Sequence, residues 1–196
     1  NAVLPTPLIR MAPASSDASF RRYFRVWHDS QTRIVMDAPP DKENCRPFVA
    51  IAHALRGLGL NAPEVLDGDL DQGLLLLTDL GSRQYLAELT ESSVPGLYGD
   101  ALDALARLQT GGDPDSSLLP CYDMALLQRE MALFSDWFLG RLLGLERSKE
   151  EQRMLDWTFT ALADNALEQP RVWVHRDYHS RNLMVTDPDN PGVLDF

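Results

Sequence analysis

The chain has 196 residues, of which 44% are hydrophobic and 24% are charged, and its formal net charge is −11. This length allows one large domain or about one and a half ordinary ones, and no tract of biased composition interrupts it. The acidic balance argues against a nucleic-acid partner, because phosphate backbones are bound by basic surfaces. No apolar run approaches the roughly 20 residues that a membrane-spanning helix requires. Two cysteines far apart, Cys45 and Cys121, favour a reducing compartment, and we expect a cytoplasmic protein that acts as a monomer.

The first 80 residues are predicted to form strands around one helix. Two β-type runs, at residues 20–27 and 33–37, are separated by a polar turn. A helix is predicted at about residues 47–58, where four apolar side chains fall on one face. Residues 64–66 and 73–77 are further strand candidates around an acidic turn.

After Gly81 the pattern becomes helical. An apolar stripe predicts a helix over residues 97–108, and Asp123 is the predicted N-cap of a long helix that reaches Leu142. Ser148 and Glu151 have the spacing of a capping box, which predicts a helix running to about Leu167. The pattern then changes again, and three short strands are predicted at residues 172–175, 183–185 and 193–196.

The last two predicted strands enclose a loop rich in Asp, Asn and Pro, as turns are. If the turn centres between Pro188 and Asp189, Asn182 and Asp195 are cross-strand partners with Cβ atoms about 5 Å apart. A carboxylate and an amide oxygen at that separation suit Mg²⁺. The register is inferred from symmetry alone, and a shift of one residue would place the two side chains on opposite faces.

Asp177 lies in the loop that enters this hairpin, five positions before Asn182. A carboxylate there can accept the proton of a hydroxyl group as it attacks a phosphorus atom. The kinase pattern H-R-D-x-x-x-x-N is met by His175, Arg176, Asp177 and Asn182, and an Asp-Phe pair follows at the end of the next strand. The ordered set predicts transfer of the γ-phosphoryl group of ATP, with Asp177 as the base.

A zinc site is the competing interpretation of two histidines in this segment. His175 and His179 are four residues apart, as zinc ligands on a helix can be. The run before His175 is strand-like, however, and no glutamate follows that histidine. We therefore exclude zinc.

The motifs His175-Arg176-Asp177-x4-Asn182 and Leu194-Asp195-Phe196 resemble those of the aminoglycoside phosphotransferase and choline kinase class. Residues 15–25, 35–40 and 77–81 are further similar to the bacterial anomeric kinases of cell-wall recycling. Those enzymes phosphorylate the C1 hydroxyl of N-acetylmuramic acid and N-acetylglucosamine. The resemblance runs from about Pro13 to Phe196.

The resemblance implies an α+β, bilobal protein-kinase-like fold. The N-lobe, residues 1–80, would be β-rich with one main helix, and the hinge would lie near residues 77–81. The C-lobe, residues 82–196, would be mostly helical and carry the catalytic loop and the β-hairpin. Because family members continue with further helices, the C-lobe in this chain is expected to be partial.

Site roles follow from the same resemblance. Asp177 would be the base, and Asn182 and Asp195 would bind Mg²⁺. The loop over the ATP phosphates, with its following arginine, would comprise Ser15, Ser16, Asp17, Ala18, Ser19, Phe20 and Arg21. The hinge that meets the adenine would comprise Leu77, Thr78, Asp79 and Leu80. Contacts to the sugar acceptor or the transferred phosphate would come from His175, His179 and Arg181.

Two departures from the kinase pattern concern the phosphate site. Kinase N-lobes usually carry a lysine on the third strand, paired with a glutamate of the helix, yet residues 33–37 contain no lysine and residues 47–58 no acid. The missing charge could come from one of four arginines, Arg21, Arg22, Arg25 or Arg33. The loop at residues 15–20 also contains no glycine, which makes close backbone approach to phosphate less assured.

Three functions remain open at this point. The leading one is an ATP-dependent kinase of the anomeric hydroxyl of an amino sugar. The second is a kinase of aminoglycosides or other small alcohols. The third is a nucleotide-binding or scaffolding pseudokinase, which the missing strand lysine suggests and the intact Asp177, Asn182 and Asp195 oppose.

Overall fold

The structure, a computed structural model, describes residues 10–16, 20–28 and 30–196. The chain divides into two compact units, one made of residues 1–113 and 173–196 and the other of residues 114–172. The predicted lobes, residues 1–80 and 82–196, are a different division of the chain and stay a prediction. Across the described residues, no helix combines the length and the apolar character needed to cross a bilayer.

An antiparallel sheet of five strands begins the first unit. Its strands are β1 (Arg10–Ser16), β2 (Arg22–His28), β3 (Gln31–Asp37), β4 (Val65–Asp69) and β5 (Leu74–Thr78), in the spatial order β1-β2-β3-β5-β4. The register places Tyr23 opposite Met36, Arg25 opposite Ile34, and Ile34 opposite Leu77. Directly opposed residues share a face of the sheet, so these five side chains lie on one side.

The helix α1 (Cys45–Gly57) packs on that face. Asn44 is its N-cap and accepts a hydrogen bond from the backbone N–H of Arg46 at 3.0 Å. The shared core of the sheet and the helix consists of Met36, Ala38, Cys45, Phe48, Leu75 and Leu77, all buried. The predicted β-rich segment with one main helix is therefore confirmed.

A two-stranded hairpin, β6 (Leu183–Met184) and β7 (Gly192–Val193), completes the first unit. It packs against Tyr85 in the short helix α2 (Tyr85–Glu88) and against the longer helix α3 (Val94–Gly111). The amide nitrogen of Asn190, in the hairpin loop, donates to the Tyr85 hydroxyl at 2.7 Å and to Asp100 Oδ2 at 2.6 Å. Because Tyr85 is fully buried, this contact pins the loop to the core.

The second unit is helical. The carboxylate of Asp123 caps α4 (Met124–Leu133) by accepting the Leu126 N–H at 2.9 Å. A π-helical segment, Phe134–Leu142, continues this helix. Ser148 and Glu151 form the capping box that opens α5 (Lys149–Leu167). Both predicted N-caps are therefore confirmed.

Three local predictions are wrong. A strand, β1, precedes residue 20 where none was predicted. The single helix predicted to reach Leu142 changes to π-helical geometry at Phe134, and there the carbonyl of Ser135 accepts a hydrogen bond from the Arg147 guanidinium at 2.6 Å. Residues 172–175 form no strand, because β-branched residues need a partner strand to build a ladder.

Candidate active site

The hairpin brings Asn182 and Asp195 together through a register and a backbone conformation that the sequence did not predict. Leu183 pairs with Val193, which is one residue away from the predicted register, so the prediction that Asn182 lies directly opposite Asp195 is wrong. Asp195 has φ +59°, a left-handed conformation that turns it out of the strand direction. The amide nitrogen Nδ2 of Asn182 consequently lies 3.3 Å from Asp195 Oδ2. The predicted proximity holds despite the wrong register.

Asp177 belongs to the same cluster. Asn182 Nδ2 donates to Asp177 Oδ2 and to the Asp177 carbonyl oxygen, each at 3.0 Å. One amide nitrogen thus bridges the two carboxylates, and the amide oxygen of Asn182 is not used in these contacts. The structure therefore brings together all three residues that the motif singled out.

The predicted catalytic loop, residues 175–182, is anchored at both sides of Asp177. Tyr178 donates its hydroxyl proton to the Ala101 carbonyl at 2.7 Å, and burial raises the pKa of Tyr178 to about 12. His175 Nε2 lies 3.0 Å from the Leu194 carbonyl, which ties the start of the loop to the strand before Asp195. Burial lowers the pKa of His175, so the ring is neutral at pH 7 and Nε2–H is the donor.

His175 and His179 occupy different environments. His175 faces Leu194 and Tyr178, and it does not line the cleft described below. Its Nδ1 is buried and has no hydrogen-bond partner within the part of the chain that the structure describes. His179 is half exposed, and its Nε2 lies 3.0 Å from Asp177 Oδ1. The positions of the two histidines do not test their predicted contacts with the sugar acceptor or the transferred phosphate. Those contacts stay predictions.

A cleft of about 570 Å³ lies within the first unit. The predicted hinge residues Leu77, Thr78, Asp79 and Leu80 all line it, and so do Asn182, Asp195 and Arg181. The cleft therefore joins the predicted hinge to Asn182 and Asp195 of the cluster.

The predicted phosphate loop is described only in part. Ser15 and Ser16 lie in β1, where their backbones pair with Tyr23 and Arg22, whereas Asp17, Ala18 and Ser19 lie outside the described residues. Phe20 is exposed, with the Lys42 ammonium 4.6 Å from its ring centroid. Arg21 Nε lies 3.5 Å from Glu43 Oε2. Neither Phe20 nor Arg21 lines the cleft, and the nucleotide contacts predicted for this loop stay predictions.

The strand β3 contains no lysine. Ile34 lines the cleft, and Met36, two residues further along β3, points to the same face but is fully buried. The four arginines proposed as substitutes already contact other groups: Arg21 meets Glu43, Arg22 meets Asp37, Arg25 meets Asp79, and Arg33 meets Gln31 and the Thr32 carbonyl.

The Arg25–Asp79 pair is the strongest of these contacts. Arg25 donates to the Asp79 carboxylate through Nε at 2.6 Å and through Nη2 at 3.0 Å, and Nη2 also donates to the Gly81 carbonyl at 2.6 Å. Burial alone would raise the pKa of Asp79, but hydrogen bonds from Arg25, Thr32 and the Gly81 N–H outweigh it and hold that pKa below its usual value. The pair thus fastens β2 to the hinge. Sequence reasoning missed it, because no local spacing links two residues that are 54 positions apart.

Asn61 is a second residue that sequence reasoning missed. Its amide nitrogen donates to the Asp189 carbonyl at 2.7 Å and to Thr186 Oγ1 at 3.2 Å, and its carbonyl accepts the Val193 N–H at 2.8 Å. These three bonds fix the hairpin to the segment that precedes β4. A lone asparagine between Leu60 and Ala62 carries no signal of this role.

The oxygen donors at the cluster fit a magnesium ion. Asn182 and Asp195 offer one amide oxygen and one carboxylate, both hard donors. Among the described residues, no group of three or more His, Cys, Asp or Glu side chains forms a protein cage for a metal. Mg²⁺ usually keeps waters and phosphate oxygens in its coordination shell and takes one or two protein ligands, so this sparse donor set suits it.

Comparison with known proteins places these features in a family. The family model for APH, described as the phosphotransferase enzyme family, matches residues 10–196. The chain is 50% identical over 190 residues to an N-acetylmuramate/N-acetylglucosamine kinase of Pseudomonas aeruginosa, covering 97% of this chain and 55% of that protein. It therefore spans a little over half the length of the curated relatives it matches.

Solved structures agree on the fold. Spectinomycin phosphotransferase APH(9)-Ia, in complex with ADP and spectinomycin, has a TM-score of 0.63 at 13% identity and covers 98% of this chain and 64% of its own. Choline kinase LicA from Streptococcus pneumoniae has a TM-score of 0.61 at 12% identity, with coverages of 96% and 63%. The predicted α+β, protein-kinase-like fold is confirmed, and the chain belongs to the phosphotransferase enzyme family.

Proposed function

We propose that the protein transfers the γ-phosphoryl group of ATP to the anomeric hydroxyl of an amino sugar, N-acetylmuramic acid or N-acetylglucosamine. One observation carries the proposal: Asp177, Asn182 and Asp195 meet at a single amide nitrogen beside a cleft that reaches the hinge. The named relatives support the amino sugar as the acceptor. A sugar phosphorylated at C1 would fit a role in cell-wall recycling.

The proposed reaction needs one proton acceptor and an aligned phosphorus atom. The C1 hydroxyl oxygen attacks the γ-phosphorus, and the bond from that phosphorus to the β–γ bridging oxygen breaks. The hydroxyl proton passes to Asp177, and ADP leaves with the bridging oxygen. The products are the sugar 1-phosphate and ADP, and the proton on Asp177 returns to solvent.

Asn182 and Asp195 would hold Mg²⁺ in this scheme. A bound Mg²⁺ would neutralise charge on the β- and γ-phosphates. Asn182 has a second task, because its amide nitrogen holds the Asp177 carboxylate at 3.0 Å. A substitution at Asn182 would therefore disturb the base as well as the metal site.

Arg181 supplies the phosphate charge in this proposal. Arg25 and Arg181 are the two cationic residues among the described residues that line the cleft, and Arg25 already directs Nε and Nη2 to Asp79 and Gly81. Arg181 is exposed and adjoins the metal ligand Asn182 in sequence. It is therefore the cation best placed to meet the transferred phosphate in the absence of a β3 lysine.

The test is an acceptor panel with the full-length protein. ATP turnover would be measured with N-acetylmuramic acid, N-acetylglucosamine, spectinomycin and choline. Phosphorylation at C1 blocks the reducing end, so a reducing-sugar assay distinguishes it from transfer to any other hydroxyl. ADP release with loss of the reducing end is the expected result. Turnover with spectinomycin or choline alone would establish the small-alcohol kinase, and ATP binding without turnover would establish the pseudokinase.

Asp177→Asn tests the base within the same assay. Removing a general base costs about 10²- to 10⁴-fold in rate, so kcat should fall by at least about 100-fold while calorimetric ATP affinity stays within about twofold. Asp187→Asn is the matched control, because Asp187 is an exposed aspartate of the hairpin loop that does not line the cleft. Unchanged turnover in Asp177→Asn would end the proposal for this residue.

A further inference from the structure

His179 follows the proposed base by two residues and contacts it directly. Its Nε2 lies 3.0 Å from Asp177 Oδ1. Its Nδ1 accepts a hydrogen bond from the backbone N–H of Arg181 at 3.2 Å. A ring nitrogen that accepts carries no proton, so the proton of the neutral ring lies on Nε2. The nitrogen that lies 3.0 Å from Asp177 Oδ1 is therefore the one that carries the ring proton.

The backbone holds the ring in this orientation. The Asn182 N–H donates to the His179 carbonyl at 2.9 Å, which closes a tight turn over residues 179–182. The N–H that meets Nδ1 belongs to Arg181, inside the same turn. The turn thus selects the tautomer of His179 as well as the direction of its side chain.

The Asp177 carboxylate is consequently held at both oxygens. His179 Nε2 lies 3.0 Å from Oδ1, and Asn182 Nδ2 donates to Oδ2 at 3.0 Å. Polar contacts on both oxygens restrict rotation of the carboxylate. Each oxygen of an ionised carboxylate has two lone-pair sites, so one on each stays free for an incoming hydroxyl proton.

We propose that His179 is a positioning residue that fixes the Asp177 carboxylate for proton abstraction. This inference rests on the proposed function, because it assigns Asp177 the role of base. It gives His179 a different task from the phosphate contact that the resemblance implied. A residue that orients the base acts on kcat, whereas a residue that binds phosphate acts on the KM for ATP.

Four variants of the full-length protein separate these tasks. His179→Gln places its amide N–H about as far from the backbone as the histidine Nε2, so it keeps the donor. His179→Asn places the amide at about the depth of Nδ1, and His179→Phe has a ring without a donor. His53→Phe is the control, because His53 is exposed on α1 and does not line the cleft. All four should unfold within about 2 °C of the wild type, because His179 is half exposed.

Steady-state kinetics with ATP and the sugar give the first readout. His179→Phe and His179→Asn should lower kcat about 10- to 100-fold, the range expected for a lost hydrogen bond to a charged group, with KM for ATP and sugar within about twofold. His179→Gln should stay within about threefold of wild-type kcat, and His53→Phe should match the wild type. Wild-type kcat in His179→Phe, an equal loss in His179→Gln, or a change confined to the KM for ATP would each overturn the inference.

The second readout is independent of the acceptor. In protein labelled with ¹⁵N-histidine, the ring nitrogen resonances of His179, assigned with His179→Gln, should report a proton on Nε2 and none on Nδ1. These resonances should shift in Asp177→Asn, because the partner of Nε2–H changes. A proton on Nδ1, or no shift in Asp177→Asn, would refute the contact. If the wild type phosphorylates no sugar, the proposed function fails, and this spectrum still decides whether His179 engages Asp177.

Discussion

Replacing Arg25 with methionine should destabilise the protein strongly, although Arg25 is not assigned to the chemistry. The variant keeps most of the side-chain length but removes all three donors to the hinge. The Asp79 side chain is 3% exposed, and that of Arg25 is 21% exposed. Asp79 would therefore be left as a buried carboxylate without its main partner.

The expected loss of unfolding free energy in Arg25→Met is smaller than the loss for a fully buried ion pair. Breaking a buried ion pair by removing one partner costs about 3–5 kcal/mol, and the partial exposure of Arg25 lowers this to about 2–4 kcal/mol. For a domain of this size, such a loss corresponds to a Tm lower by roughly 5–12 °C. The double variant Arg25→Met with Asp79→Asn should recover part of it, because the unpaired charge is then gone.

The loss of unfolding free energy in Arg25→Met should depend on pH, and the pKa of Asp79 sets the direction of this dependence. The pKa of Asp79 in the folded protein lies below its unfolded value, so its contribution to stability is complete above the unfolded pKa and disappears as pH falls through the folded pKa. In Arg25→Met the buried carboxylate can instead take up a proton as the medium becomes acidic. The difference in unfolding free energy between wild type and variant should therefore be larger at pH 7 than at about pH 4.

Urea unfolding of the full-length protein at the two pH values measures this difference. Arg46→Met is the matched control, because Arg46 pairs with Asp71 at 3.4 Å where the two side chains are 66% and 92% exposed. The control should change the unfolding free energy by less than about 1 kcal/mol. Equal stability of Arg25→Met and wild type at pH 7, or a loss of the same size at both pH values, would refute the reasoning.

Two further variants test the phosphate cation and the hairpin loop. Arg181→Met should raise the KM for ATP about tenfold in steady-state kinetics while the unfolding midpoint stays unchanged, and an unaltered KM would remove Arg181 from the phosphate site. Asn190→Ala leaves the buried Tyr85 hydroxyl without its donor, so it should cost about 1–3 kcal/mol in urea unfolding. Wild-type stability in Asn190→Ala would show that this contact does not hold the loop.

Sequence reasoning succeeded where a structural signal is local. The capping box of Ser148 and Glu151 spans four residues and predicted the start of α5 correctly. The catalytic motif over residues 175–182 likewise singled out Asp177 and Asn182, because a loop of eight residues allows few ways to separate its ends. In both cases the interacting groups are close in the chain.

Prediction failed where a backbone conformation or a distant residue decides the outcome. Symmetry predicted the wrong hairpin register, and only the left-handed φ of Asp195 restores its contact with Asn182. The contacts of Arg25 and Asn61 cross 54 and 128 positions. No periodicity or propensity carries information over such separations, so these residues emerge only from the folded structure.

The lack of a lysine on β3 determines which chemical probes could detect the proposed nucleotide binding. Nucleotide acyl phosphates, which are used to survey kinases in cell extracts, transfer their acyl group to a lysine amine beside the bound phosphates. The sequence contains only Lys42 and Lys149, and neither lies in β3. Acylation surveys would therefore overlook the proposed ATP binding at this strand. Electrophilic inhibitors directed at the strand lysine of other kinases would find no amine there to react with, so compounds of that kind should leave this protein unmodified at β3.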